Sequence, residues 1–328
     1  MNNTKLHIVM YHYVRDLAHS RYPNIKALDY SLFRTQIEYL KSKFTFISAE
    51  ELSAAVNGGD NLPQNSVLLT FDDGYIDHYT NVFPLLKNNR IPAFFSMPGM
   101  IIAENKLLDI NKIHFILASS DTPIIKDRIF DLLNYYRGKE FVIPDNQNLY
   151  AEYAVASRFD DPDVVFIKRV LQTALDENLR NKIASQLFRE FVSCSEETFS
   201  KELYMSYDQV KLMKDSNMCF GLHGYDHYWL GNLPKDQMEN DIDKALDVFS
   251  SILPKKDWIM CYPFGSYNPD TIEYIKSKGC GIGFTTKTAI ADLKNDSPFE
   301  LPRFDTNDFP PKSERYIKTT QEQKNESF

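Results

Sequence analysis

Apolar positions along the chain repeat with two different periods. Residues 6–11, 44–47, 66–71, 91–96, 218–222, 258–262 and 281–285 form short apolar runs, rich in β-branched or aromatic residues, that read as buried strands. Helical spacing fills the intervals. Phe33, Ile37 and Leu40 share one face of a helix over 30–43, and Ser48-Ala-Glu-Glu51 is a capping box that opens a helix to about Val56. A second capping box, Ser206-Tyr-Asp-Gln209, starts a helix to Ser216. Further helices are expected over 76–88, over 234–252 with Asn232 or Leu233 near its cap, and over 269–278. Strands alternating with helices predict a parallel sheet or an α/β barrel.

The alternation stops between about 104 and 205. There 111–118, 126–137 and 164–192 show 3.6-type spacing with almost no strand signal. The chain is therefore expected to divide into a discontinuous barrel, 1–103 and 206–311, a helical insertion, 104–205, and a polar, frayed tail, 312–328.

Composition narrows the class. Lys and Arg number 37 against 45 Asp and Glu, a net charge of −8, so no basic footprint for nucleic acid is present. Four cysteines, at 194, 219, 261 and 280, lie too far apart in sequence for a zinc knuckle or a CxxC redox pair. The longest mostly apolar stretch, 91–103, carries two prolines and falls short of the ~20 residues of a membrane span. The first residues, with one Lys and a short run interrupted by His, read as a strand and not a leader. A cytoplasmic protein is expected, with peripheral membrane association if its substrate is lipid-linked.

Reactive residues gather where predicted strands end. His12 follows 6–11, Asp72 and Asp73 follow 66–71, His223 follows 218–222 with His227 four residues on, and Pro263-Phe-Gly265 follows 258–262. Arg303 and Asp305 follow a short run at 299–301. In α/β barrels the C-terminal ends of the strands build the active site, so these residues are expected at one rim. One Asp and two His leave a fourth position open, as in a catalytic zinc-type site, and Asp73, His223 and His227 could supply it. Of two adjacent carboxylates, one can bind the metal while the other serves as general base. His78, one turn into a helix, reads as a surface residue or as a further group near the metal.

Thr70-Phe-Asp-Asp-Gly-Tyr75, His223-Gly-Tyr-Asp-His227 and Tyr262-Pro-Phe-Gly-Ser-Tyr267 resemble three motifs of the polysaccharide deacetylases, the NodB-homology or carbohydrate esterase family 4 group. The resemblance covers about 1–103 and 206–310. It implies an α/β fold, a distorted (β/α) barrel, and a metal-dependent hydrolase that removes N-acetyl groups from amino sugars. Carried over by motif, Asp72 resembles the catalytic base, and Asp73, His223 and His227 the ligands of a divalent ion, zinc foremost, with Ni, Co or Mn as alternatives. Tyr262, Pro263, Phe264 and Gly265 resemble the acetate-side wall and its oxyanion N–H, with Tyr75 also on the substrate side.

The sequence departs from the family pattern at three places. Gly224 stands where Ser or Thr usually supports the loop, so looser loop geometry is expected. Cys261 stands where an Arg pairs with the base, and Arg303 is the nearest replacement, with a surface ion pair as its alternative role. No His follows His227, so the proton donor falls to His12, as in the circularly permuted branch of the family. Tyr228 and Trp229 read as a sugar platform or as loop packing. The function implied is removal of an acyl group from an N-acetylated glycan, in surface polysaccharide or glycoconjugate biosynthesis. The alternatives are a deacylase of another amide or ester, and an inert glycan- or partner-binding protein on the same fold.

Overall fold

The computed structural model describes residues 4–58, 61–157 and 160–325. Cα packing divides the chain into two units. The first holds Met1–Asp16, Ala27–Asn105 and Leu203–Phe328, and the second Leu17–Lys26 and Lys106–Glu202.

The first unit is a curled α/β half-barrel. The strands of its main sheet are β1 (Lys5–Tyr11), β2 (Thr45–Phe46), β3 (Ser66–Phe71), β4 (Phe94–Met97), β5 (Cys219–Leu222), β6 (Trp258–Cys261), β7 (Cys280–Phe284), β8 (Ala291–Asp292) and β9 (Phe304–Asp305). The sheet runs β8-β1-β3-β4-β5-β6-β7, with β9 beside β1 and β2 beside β3. Every neighbouring pair is parallel except β8 against β1, as βαβ crossovers require. The last segment joins the two ends of the sheet. Leu301 bridges to Phe284, while Phe304 and Asp305 pair with Val9 and Met10. Strand alternation sends Leu6, Ile8, Leu68, Phe94, Ile259, Ile282, Phe284 and Leu301 into one buried cluster.

Several boundaries differ from expectation. The strand expected at 91–96 begins at Phe94, after a proline that cannot donate to a ladder. The helix expected over 76–88 opens as a π-helical turn, His78–Val82, before Phe83–Asn89. The helix expected over 234–252 runs Lys235–Val248 and is capped at Pro234, not at Asn232 or Leu233. The residues expected to fray from 312 instead form a helix, Arg315–Asn325. Its Tyr316 is buried, stacked on Phe309 at 4.4 Å and edge-on to His7.

The second unit is helical. Its core joins Phe115, Phe188 and Phe199, with ring centroids 4.6 and 5.3 Å apart. It also takes in Leu17–Lys26, which the sequence pattern assigned to the barrel, because Tyr22 packs edge-on against Phe115 and Phe199. The apolar spacing over 164–192 is interrupted. Pro162–Arg169 passes into a π turn, and a new helix, Glu177–Phe191, starts at Asp176, whose carboxylate accepts from the N–H groups of Asn178 and Leu179. Among the described residues no helix is long and apolar enough to cross a membrane.

Candidate active site

The ends of β3 and β5 bring Asp73, His223 and His227 together, all buried. Asp73 Oδ1 lies 3.2 Å from His223 Nε2 and 3.3 Å from His227 Nε2, and the two Nε2 atoms are 3.2 Å apart. His223 Nδ1 lies 2.8 Å from the carbonyl oxygen of Cys261, which can only accept, so Nδ1 carries the proton and Nε2 is bare in the neutral ring. Asp73 Oδ1 is buried with no hydrogen-bond donor. Asp73 Oδ1, His223 Nε2 and, in the tautomer protonated at Nδ1, His227 Nε2 thus turn lone pairs to one point. Ligands ~2.0–2.1 Å from a tetrahedral ion stand roughly 3.3–3.4 Å apart, close to this triangle, so the residues present fit a divalent cation with a fourth position open.

The backbone bends sharply to make this arrangement. Asp73 (φ 74°) and His227 (φ 58°) are in the left-handed region, a strain that non-glycine residues carry mainly at functional sites. Gly224 (φ 68°) does not loosen its loop, contrary to expectation. A Cβ there would come within 2.9 Å of Asp241 Oδ1, and the Asp241 carboxylate accepts from the backbone N–H of Tyr225 at 2.8 Å and of Asp226 at 2.9 Å. Glycine is needed so that Asp241 can approach and pin the turn between the two histidines. Sequence reasoning missed Asp241. It sits inside the helix Lys235–Val248, and its only signal was an acid at a core-facing position.

Asp72 points into a separate clamp. Arg303 Nη2 lies 2.8 Å from Asp72 Oδ2 and Nη1 3.0 Å from Oδ1, a bidentate pair, and Ser96 Oγ donates to Oδ1 at 2.7 Å. Arg303 is fully buried, so its alternative as a surface ion pair does not hold. It also donates to Thr70 Oγ1 and to the Thr285 carbonyl, and it passes 3.6 Å from Cys261 Sγ. The guanidinium therefore occupies the space beside Cys261. It arrives from the segment that joins β7 to β1, not from the end of a strand at 299–301. Burial alone would raise the Asp72 pKa, but the Arg303 charge outweighs it and holds the carboxyl well below the usual range.

Two residues expected on the substrate side are turned away from it. Tyr75 is fully buried, stacked on Tyr13 at 3.9 Å, and its hydroxyl donates to Asp73 Oδ2 at 2.6 Å. It steadies Asp73 from behind. The Tyr262 side chain is also buried, with its hydroxyl on the carbonyl of Phe299. What the motif offers the site is backbone. The N–H groups of Tyr262, Gly265 and Ser266 donate within the protein, and Pro263 has none, which leaves that of Phe264. Phe264 has φ 58°, its ring meets His227 edge-on at 4.6 Å, and Trp229 stacks on it at 4.5 Å, both rings half-buried. Tyr228 is exposed.

His12 is half-buried just past the end of β1. His78 is neither a surface residue nor a metal neighbour. It is fully buried, and its Nε2 lies 2.9 Å from the His12 carbonyl.

A sequence model described as polysaccharide deacetylase matches residues 59–115 and 152–282. Poly-β-1,6-N-acetyl-D-glucosamine N-deacetylase of Escherichia coli (strain K12) is 34% identical over 93 residues, which are 28% of this chain and 13% of that protein. The match thus spans well under two thirds of the relative. Among solved structures, Streptococcus pyogenes deacetylase PplD in complex with acetate superposes with a TM-score of 0.56 at 18% identity, covering 98% of this chain and 99% of that one. IcaB from Ammonifex degensii gives 0.54 at 19% identity, covering 94% and 95%. The fold is shared with both.

Proposed function

The chain belongs to the polysaccharide deacetylase family, and from that premise we propose that it is a metal-dependent hydrolase removing N-acetyl groups from an amino-sugar glycan, in the making or tailoring of a surface polysaccharide or glycoconjugate. One observation carries the reading. Three buried donors face a single point, and the carboxylate next to them in sequence is kept ionised by a buried arginine. The similarity to an enzyme named for poly-β-1,6-N-acetyl-D-glucosamine supports the substrate class.

A divalent cation held by Asp73, His223 and His227 would supply Lewis acidity toward the acyl carbonyl and toward a water, whose pKa such ions bring to about 7. Asp72 takes the proton of the attacking water. Arg303 and Ser96 orient it and keep it ionised, but they do not touch the substrate. The Phe264 N–H is the donor available to the carbonyl oxygen as negative charge collects there. The amine leaves badly as an anion, and His12 gives it a proton as the C–N bond breaks.

The test is acetate release from β-1,6-linked N-acetylglucosamine oligomers by purified protein, with bound metal measured in parallel. Chelation should abolish release and zinc should restore it. His12→Ala should keep its metal and lose roughly 10²-fold or more in kcat. Metal-free protein that still releases acetate, or a metal-loaded protein that releases none from any N-acetylated glycan, would overturn the reading.

A further inference from the structure

The backbone after β1 is held at three points by one turn of helix. His78 Nε2–H donates to the His12 carbonyl at 2.9 Å, Asn81 Nδ2–H donates to the Val14 carbonyl at 2.7 Å, and Arg15 Nε–H donates to Asp77 Oδ2 at 2.7 Å. All three partners lie in or beside the π-helical turn His78–Val82, which starts four residues beyond Gly74. Such turns are rare and concentrate at functional sites. Here the turn belongs to the element that leaves Asp72 and Asp73, so the carboxylates and His12 are tied to one piece of backbone.

His78 is the unusual member. Its ring lies among Phe71, Tyr75 and Phe95, at centroid distances of 5.5, 5.7 and 5.7 Å. Burial lowers its pKa to about 4, so the ring is neutral. With the proton on Nε2, Nδ1 is left as a buried acceptor without a hydrogen-bond partner. A phenylalanine would fill this aromatic pocket without that penalty. The imidazole offers one thing phenylalanine lacks, an N–H aimed at the carbonyl of His12.

We propose that His78 is a positioning residue for the reaction, fixing through the His12 carbonyl the backbone from which the His12 imidazole reaches the leaving amine. This rests on His12 being the proton donor. A misplacement of about 1 Å in a catalytic group costs on the order of 10²-fold in rate, so a bond that sets the origin of the side chain is one that turnover can feel.

His78→Phe keeps the ring and removes the donor, and His78→Gln restores an N–H near the position of Nε2. Both are assayed zinc-loaded on β-1,6-linked N-acetylglucosamine oligomers. His78→Phe should lose about tenfold or more in kcat with KM, zinc content and melting temperature unchanged, and His78→Gln should recover most of the loss. In a His12→Ala background His78→Phe should cost nothing further. Wild-type kcat in His78→Phe, equal losses in Phe and Gln, or losses that multiply in the double variant would each overturn the proposal. Wild-type turnover in His12→Ala alone would instead remove the proton-donor assignment, a separate failure. Should His78→Phe not fold, Asn81→Leu tests the same turn. It should lose kcat without loss of zinc, and wild-type kcat there would count against the clamp.

Discussion

At the scale of single residues, the site depends on charges that have almost no solvent to answer them. Arg303 and Asp72 are both fully buried, so the two stand or fall as a pair. Arg303→Met should destabilise the fold by about 3–5 kcal/mol in denaturant titration, since an unpaired buried carboxylate remains. Burial is then opposed only by weaker groups such as the Ser96 hydroxyl and His223, and the Asp72 pKa rises. The acid limb of kcat/KM should move to higher pH, and an unmoved limb would show that Arg303 does not set the base. His227→Ala should strip most of the metal at neutral pH while circular dichroism stays unchanged. Stoichiometric metal in that variant would remove His227 from the ligand set. The donors Asp73, His223 and His227 were legible in the sequence because their spacing is a motif. Asp241, Tyr75 and His78 were not read for what they do. Each acts on another residue's backbone or spare oxygen, a relation that no spacing along the chain encodes. Arg303 was half legible. The vacancy at Cys261 called for a cation and Arg303 was the nearest candidate, but only the fold decides between that place and a surface ion pair.

Among elements, the strands were read well because a buried parallel strand is a short, continuously apolar run, and all six residues of β3 are buried. Helix ends inside the second unit were harder. The apolar stripe continues across 170–176, and the stop lies in the Asp176 cap, which periodicity does not register. The helix Arg315–Asn325 escaped notice because its main apolar anchor is a single aromatic, Tyr316, in an otherwise polar stretch. Edge pairing adds a pH-sensitive tie. Asp292 of β8 accepts from Lys5 at 2.8 Å and from Thr4 and Asn295. Burial pushes its pKa up, but these donors outweigh that and bring it down to about 2. The folded value lies below the unfolded one, so the stabilisation is full above about pH 4 and fades as pH falls toward 2. Lys5 is half exposed, which weakens the pair. Asp292→Asn should therefore cost about 1–2 kcal/mol at pH 7 and little near pH 2, read from urea midpoints at the two pH values.

On the scale of the whole molecule, the three converging donors Asp73, His223 and His227 all belong to the barrel unit. A ligand bound only by the folded state adds about 2.7 kcal/mol at a hundredfold excess over Kd. Chelation should therefore speed amide hydrogen exchange in β3 and β5. The helices Asp109–Ser119 and Glu177–Phe191 should exchange as before. Equal acceleration in both sets would mean that the ion is not held where the donors converge. What the sequence pattern could not show at this scale is long-range: that Leu17–Lys26 leaves the barrel for the helical core, and that Leu301–Asp305 ties the sheet's two ends. The second of these sets a timetable for biogenesis. On a ribosome β1 emerges before the other strands of this sheet, yet its Val9 and Met10 wait for Phe304 and Asp305. At about 5–20 residues per second that wait lasts roughly 15–60 s. Throughout it β1 has an open edge, a template for pairing with other chains. Arg303 sits in the same late segment, so Asp72 gains its counter-charge only when the barrel closes, and a nascent chain carries the motifs of the site well before they are assembled.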